Sequence, residues 1–181
     1  KLLISSTIRF DINDTRQDLS YSLYDMPPNS YHNNIKDKDL IGGSIKLNHQ
    51  YTKPLAFTYL LSRGYKTSGI NQTQYPNFNE DHRIYKTEYC NNIDFGITYN
   101  KNKYKIRLSS FYMHRVNPQL RLSHQYDHLD PTSFDYATYN ANFALHYGLE
   151  TNIVINISDF LTISQSISLL KSYVSKFEYL G

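Results

Sequence analysis

The chain has 181 residues but only one cysteine, no tryptophan, two methionines, seven glycines and six prolines. The solitary Cys90 excludes an intrachain disulfide framework and any multi-cysteine metal centre. A net charge of +3 is too small to supply the concentrated basic patch of a nucleic-acid-binding protein, so no nucleic-acid partner is expected. No apolar run reaches the ~18–20 residues that a membrane-spanning helix needs. Gly-rich phosphate loops, nucleophile elbows and paired-cysteine zinc patterns are all missing, so no catalytic residue, metal site or cofactor is assigned and an enzyme is not expected. What is abundant is tyrosine. Eighteen Tyr and nine Phe bring aromatics to 15% in a chain that is only 40% hydrophobic, with a mean hydropathy of −0.57. That balance is too aromatic for a disordered chain and too polar for a thick two-sided core. It suits a sheet with one apolar and one hydrated face.

The clearest stretch is residues 87–113. In its first arm Tyr89, Ile93, Phe95, Ile97 and Tyr99 share one parity, interrupted by Asn91, while Glu88, Cys90, Asn92, Asp94, Gly96 and Thr98 share the other. Successive strand side chains point to opposite faces, so the pattern predicts a half-apolar strand. A short polar turn at 100–103 leads into a second alternating arm with Tyr104, Ile106, Leu108 and Tyr112, which makes an antiparallel hairpin. The same alternation predicts strands over 1–14, 40–51, 56–65, 138–157 and 160–173, for about seven in all. Residues 15–39, 66–86 and 114–137 read as long polar loops, the last with 119–123 as a possible strand extension.

Long loops and tight turns alternate without exception, so a meander of these strands gathers every long loop at one end. Strands of ~10 residues or more, with Tyr51, Tyr99, Tyr104 and Phe160 beside the turns, match a transmembrane β-barrel with an interfacial aromatic girdle. A soluble sandwich would use shorter strands and mix its loop lengths. The apolar parity carries few charges, with Arg63 and Lys171 both near the loop ends. Seven strands with two bare edges leave unpaired backbone that lipid does not tolerate. The pattern is already under way at Lys1 with no leader before it. The expected fold class is therefore all-β, an incomplete antiparallel up-and-down transmembrane barrel spanning 1–181, as a piece of a longer protein.

Four segments carry a family resemblance. LAFTYLLSRGYKTSGIN at 55–71 resembles a strand followed by sRGYksGGxN, with Ser68 in place of the first Gly. Residues 88–99 resemble ExxxNYELGxK, matching at Glu88, Asn92 and Gly96. Phe111 and Tyr112 followed by Gln119 resemble FYxxxxxxQ, and 140–150 resemble NAGxxxxxGLE with Asn142 for Gly. In this order and spacing the chain resembles TonB-dependent receptors of the Gram-negative outer membrane. The resemblance implies a barrel of roughly 22 strands filled by a plug, with the plug, the TonB-coupling segment and the remaining strands outside this chain. It also implies active import of a scarce nutrient, a ferric siderophore before haem, cobalamin or glycans. The partners would be outer-membrane lipid, the plug, TonB and an extracellular iron chelate. A passive porin and a secreted all-β carbohydrate-binding module are the alternatives.

Loop aromatics and amides suit flat chelates or sugar rings, so Tyr65, Asn71, Tyr75, Tyr85, His124, Tyr126 and His128 are the ligand-contact candidates. The His124 to His128 stretch suits a polar loop tip better than a metal site, because in a loop or strand end the geometry of its imidazoles is unspecified, unlike His at i and i+4 of a helix. Glu88, Asp94, Arg107, His146 and Glu150 fall on the polar parity, as expected for residues lining a hydrated interior.

Overall fold

The period-two alternation builds the sheet seen in the computed structural model, which describes residues 1–21, 29–71, 83–125 and 128–175. Eleven strands follow one another among those residues: β1 (Leu2–Tyr21), β2 (Asn29–Gln50), β3 (Leu55–Lys66), β4 (Gly69–Ile70), β5 (Ile84–Tyr85), β6 (Glu88–Lys101), β7 (Tyr104–Val116), β8 (Gln119–Gln125), β9 (Phe134–Asn140), β10 (Phe143–Ser158) and β11 (Leu161–Val174). Seven of them form one sheet in the order β1-β2-β3-β6-β7-β10-β11, every neighbouring pair antiparallel. The other four form two small hairpins, β4–β5 and β8–β9, inside the connections at one end. The expected meander is the observed one, and the sheet is open between β1 and β11.

Register carries the sequence pattern across the whole sheet. Ile4 faces Leu47, Leu47 faces Tyr59, Tyr59 faces Phe95, and farther along Ile106 faces Ile153. All of these lie on one face, where the ring centroids of Tyr59 and Phe95 are 5.1 Å apart and those of Phe57 and Phe95 6.3 Å. Each such cross-strand pair contributes ~0.2–1 kcal/mol. The opposite face pairs Ser44 with Ser62, Ser62 with Asn92, and Arg107 with Asn152. Asn102 closes the β6–β7 turn with φ 50°, a left-handed conformation that Asn tolerates. The ring of Tyr51 meets those of His49 and Phe57 beside the β2–β3 turn.

Among the described residues nothing packs on the apolar face. Ile8, Phe10 and Ile12 are 70–80% exposed. The chain's 13300 Å² of accessible surface far exceeds the ~9,100 Å² expected of a compact monomer of its 21.3 kDa. Among the described residues the buried hydrophobic side chains are Leu40, Ala137, Tyr139, Ala141 and Ala144, all toward the loop end.

Three expectations change. Most of the loop expected over 15–39 is strand: beyond an irregularity at Asp11/Asn13, β1 and β2 stay paired from Asn13↔Asp37 to Tyr21↔Asn29. Polar residues on both faces hid it, because the pairing there rests on Asn13–Asp37, Gln17–Asn33 and Asp18–His32 side-chain bonds instead of an apolar stripe. The single strand expected over 138–157 is two, broken at Ala141 and Asn142, with β9 leaving the main sheet to pair with β8. The loop expected over 66–86 contains the β4–β5 hairpin, and the one expected over 114–137 contains β8, where 119–123 read as a strand extension, and the first part of β9.

Candidate functional site

On the apolar face, toward the loop end of the central strands, Arg63, Asn91 and His114 form a polar row side by side in register. Beyond that row the chain builds a tier of loops on polar chemistry. Glu88, the first residue of β6, is 8% exposed. Its Oε1 accepts from Arg115 Nε at 2.6 Å and its Oε2 from the Gln119 backbone N–H at 2.8 Å. The Gln119 side chain donates to the carbonyls of Thr67 at 2.8 Å and Lys86 at 3.1 Å. Asn140 holds Lys86 from the other side, accepting from its N–H at 2.6 Å and donating to its carbonyl at 3.0 Å, while also donating to the Asn117 carbonyl at 2.8 Å. Asn71 pairs with the Thr138 backbone as a strand residue would, donating to its carbonyl at 2.8 Å and accepting from its N–H at 2.7 Å. Ser68 donates its hydroxyl to Asp37 at 2.5 Å, which joins this tier to β2.

The residues that carry the sequence resemblance therefore meet in one knot. Asn71, Glu88, Gln119 and Asn140 come from four separate segments and tie the bases of the loops together. Ser68, the departure from the motif, bonds both Asp37 and Thr87. Gly148 of the fourth segment serves packing: a methyl group there would collide with the Leu169 carbonyl and the Phe111 ring.

The electrostatics agree. Burial raises the Glu88 carboxyl, but the Arg115 and Gln119 hydrogen bonds and the charges of Arg115 and Lys66 outweigh it, and the group lies below the usual carboxylate value. The Glu88 hydrogen bond raises the Arg115 guanidinium in turn. Burial pushes the Cys90 thiol up, which leaves it inert at neutral pH.

The ligand-contact candidates disperse. Asn71 is buried in the knot, so its amide is occupied by the chain itself. Tyr65 donates to Asp11, which also pairs with Arg9 at 2.6 Å. Tyr85 sits against Gly69 and lines a cleft of about 460 Å³ between β2 and β5, together with Lys36, Lys38, Lys86 and Tyr89. His128 is exposed, and His124 lies in β8 opposite Asp135. Tyr75, Tyr126 and the side chain of His124 lie outside the described residues. Among the described residues no three His, Cys, Asp or Glu side chains converge as a metal site would require. The polar parity of Asp94, Arg107, His146 and Glu150 is as expected; Arg107 and Glu150 are exposed, and His146 bonds Ser172 at 2.8 Å. Arg115 and Thr138 escaped the sequence reading. Arg115 lies opposite Cys90 in register, on the face of Glu88, so face parity points to it; Thr138 contributes only backbone, which no side-chain pattern reports.

No family model matches the sequence. No curated protein matches it either. Among solved structures, the ferric yersiniabactin uptake receptor FyuA from Yersinia pestis is similar over 96% of this chain and 24% of that one, at 17% identity and a TM-score of 0.75. The copper transporter OprC is similar over 80% of this chain and 21% of that one, at 13% identity and a TM-score of 0.57. The chain thus spans less than a quarter of the length of either structure. At these identities the likeness establishes the fold: an open segment of an antiparallel sheet of the kind found in these two proteins.

Proposed function

We propose that this chain is part of the barrel of a TonB-dependent receptor in the outer membrane of a Gram-negative bacterium, importing a scarce nutrient, foremost a ferric siderophore. The observation that carries this reading is the apolar face. Over the apolar band, from Leu2 to Ile12 on β1 and across the six strands beside it, this face presents Ile, Leu, Phe and Tyr to the outside without one Asp or Glu; Asp14 and Asp18 share the outward parity of β1 only beyond that band. Water would penalise such a face heavily, since each large side chain left exposed forgoes ~1.5–3 kcal/mol of burial. Lipid supplies that burial, and the polar face then lines an interior. The likeness to an uptake receptor over nearly the whole chain, with the loops tied at one end, supports an extracellular loop tier that captures ligand.

Under this reading residues 1–181 are one incomplete barrel domain, and the partners are lipid, the protein's own plug, TonB and a metal chelate. The exposed Arg107 and Glu150 face the plug. Ligand contacts come from the loop tier around Tyr85 and His128, with Tyr65, Tyr75, His124 and Tyr126 as further candidates; Asn71 supports the tier. The test is uptake of labelled ferric siderophores and of copper by iron-starved cells, with the full-length gene deleted or TonB removed. Loss of one uptake in both strains supports the assignment. Uptake unchanged for every chelate in both strains overturns it.

A further inference from the structure

The outward face is not uniformly smooth. At Gly43 of β2 it is notched, because a Cβ there would collide with the Thr7 carbonyl and none is present to fill the surface. The notch opens into a groove of about 760 Å³ walled by Ile8, Phe10, Ile41, Ile45, Leu61 and Ile93. Arg63 and Asn91 close one side of it, directly in register with Gly43. Arg63 is exposed, its guanidinium lies 4.3 Å from the centroid of the Tyr89 ring, and it has no carboxylate partner among the described residues. The aromatic ring holds the cation in place without neutralising it. Within the apolar band the outward charges are Arg63 and Lys171, both positive and both toward the loop end. An apolar trough beside a fixed, unneutralised cation at the edge of the band is complementary to an amphiphile with a negative head.

We propose that this groove is a specific site for a phosphate-bearing lipid, one acyl chain lying in the Gly43 notch and the phosphate accepting hydrogen bonds from Arg63 and Asn91. Its placement in the outer leaflet rests on the receptor reading above. Guanidinium matches phosphate by its planar fork of donors, and the Asn91 amide adds a neutral one. Neutral lipid would occupy the trough but leave Arg63 without a counter-charge.

The test uses the full-length protein that carries this chain, reconstituted in phosphatidylcholine vesicles. A Phe10→Trp substitution places an indole in the groove wall, and its fluorescence is read against the same protein without the probe. Dibrominated phosphatidic acid and dibrominated phosphatidylcholine are then compared as quenchers. Phosphatidic acid is expected to quench at the lower mole fraction, and Arg63→Gln to reduce that preference roughly fivefold, the effect of one near-surface cation. Lys171→Gln, which removes the other outward cation of the apolar band, leaves the preference unchanged. Equal quenching by the two lipids overturns the proposal. So does a preference that survives Arg63→Gln, or one that Lys171→Gln lowers equally, since a general surface potential would then account for it. Failure of the protein to insert, read as the absence of a heat-modifiable band on gels, overturns the receptor reading itself and is distinguishable from the other outcomes.

Discussion

Removing the Glu88 carboxylate should release the loop tier while leaving the barrel wall intact. Glu88→Ala takes away two charge-assisted acceptors, at 2.6 Å from Arg115 and 2.8 Å from the Gln119 N–H. It strands a guanidinium whose side chain is 28% exposed. A fully buried pair broken on one side costs ~3–5 kcal/mol. The partial exposure of Arg115 lets water replace some of that interaction, so about 2–3 kcal/mol is expected here. The loss is local, because Glu88 sits beyond the Arg63, Asn91 and His114 row and the sheet keeps its register below it. Hydrogen exchange reads the effect. A loss of 2–3 kcal/mol raises the opening equilibrium roughly 30- to 150-fold. That rise should appear at the amides of Asn71, Lys86, Gln119 and Thr138, all tied into the knot. Amides in the centre of β6 and β7 should not change. Glu88→Gln keeps an acceptor for Gln119 and should fall between wild type and Ala. Unchanged exchange in the tier, or equal acceleration through β6 and β7, would refute the reasoning.

Three further outcomes follow from the same geometry. The Glu88 carboxyl lies below its ordinary value in the folded state, so its stabilisation is complete above the ordinary carboxylate range and is lost as pH falls through the folded value; tier exchange should rise only under acid conditions and show no such step in Glu88→Gln. Asn71→Ala removes two hydrogen bonds to Thr138 and should loosen β9 by about 2 kcal/mol, visible as faster proteolysis near Thr138, whereas a residue that only touched ligand would alter uptake and leave proteolysis alone. Leu149→Arg, on the outward face of β10 and 48% exposed, should cost ~2–4 kcal/mol in unfolding from lipid vesicles; a cost below ~0.5 kcal/mol, normal for a water-exposed surface, would exclude a lipid-facing sheet.

Strand order, pairing and facing were legible because the period of two is a local signal and β6–β7 states it with few interruptions. The upper half of the β1–β2 hairpin was not. Between Thr15 and Ile35 its pairing depends on Asn, Gln, Asp and His side chains, residues whose presence usually marks a loop. The break at Ala141 and Asn142 was hidden for the opposite reason: apolar alternation runs unbroken across it, while Asn140 is bonded to Lys86 and Asn117 and the backbone of Ala141 and Asn142 to that of Pro118 and Asn117. Candidate ligand residues chosen by residue type fared worst. An amide in a long loop serves recognition and loop support equally well as far as composition goes, and Asn71 proves to be support. Groove and notch at Gly43 depend on which strands become neighbours, information absent from any one segment.

The knot also bears on how such a protein can change. Asn71 and Arg83 are joined by a backbone hydrogen bond of 2.7 Å, so whatever lies between them starts and ends at a fixed base. Closing a longer segment on a fixed base costs little, ~0.6 kcal/mol for each doubling of length. Insertions between these two residues would therefore be absorbed above the tier without strain reaching the wall, and recognition could be rewritten there many times over on an unchanged foundation.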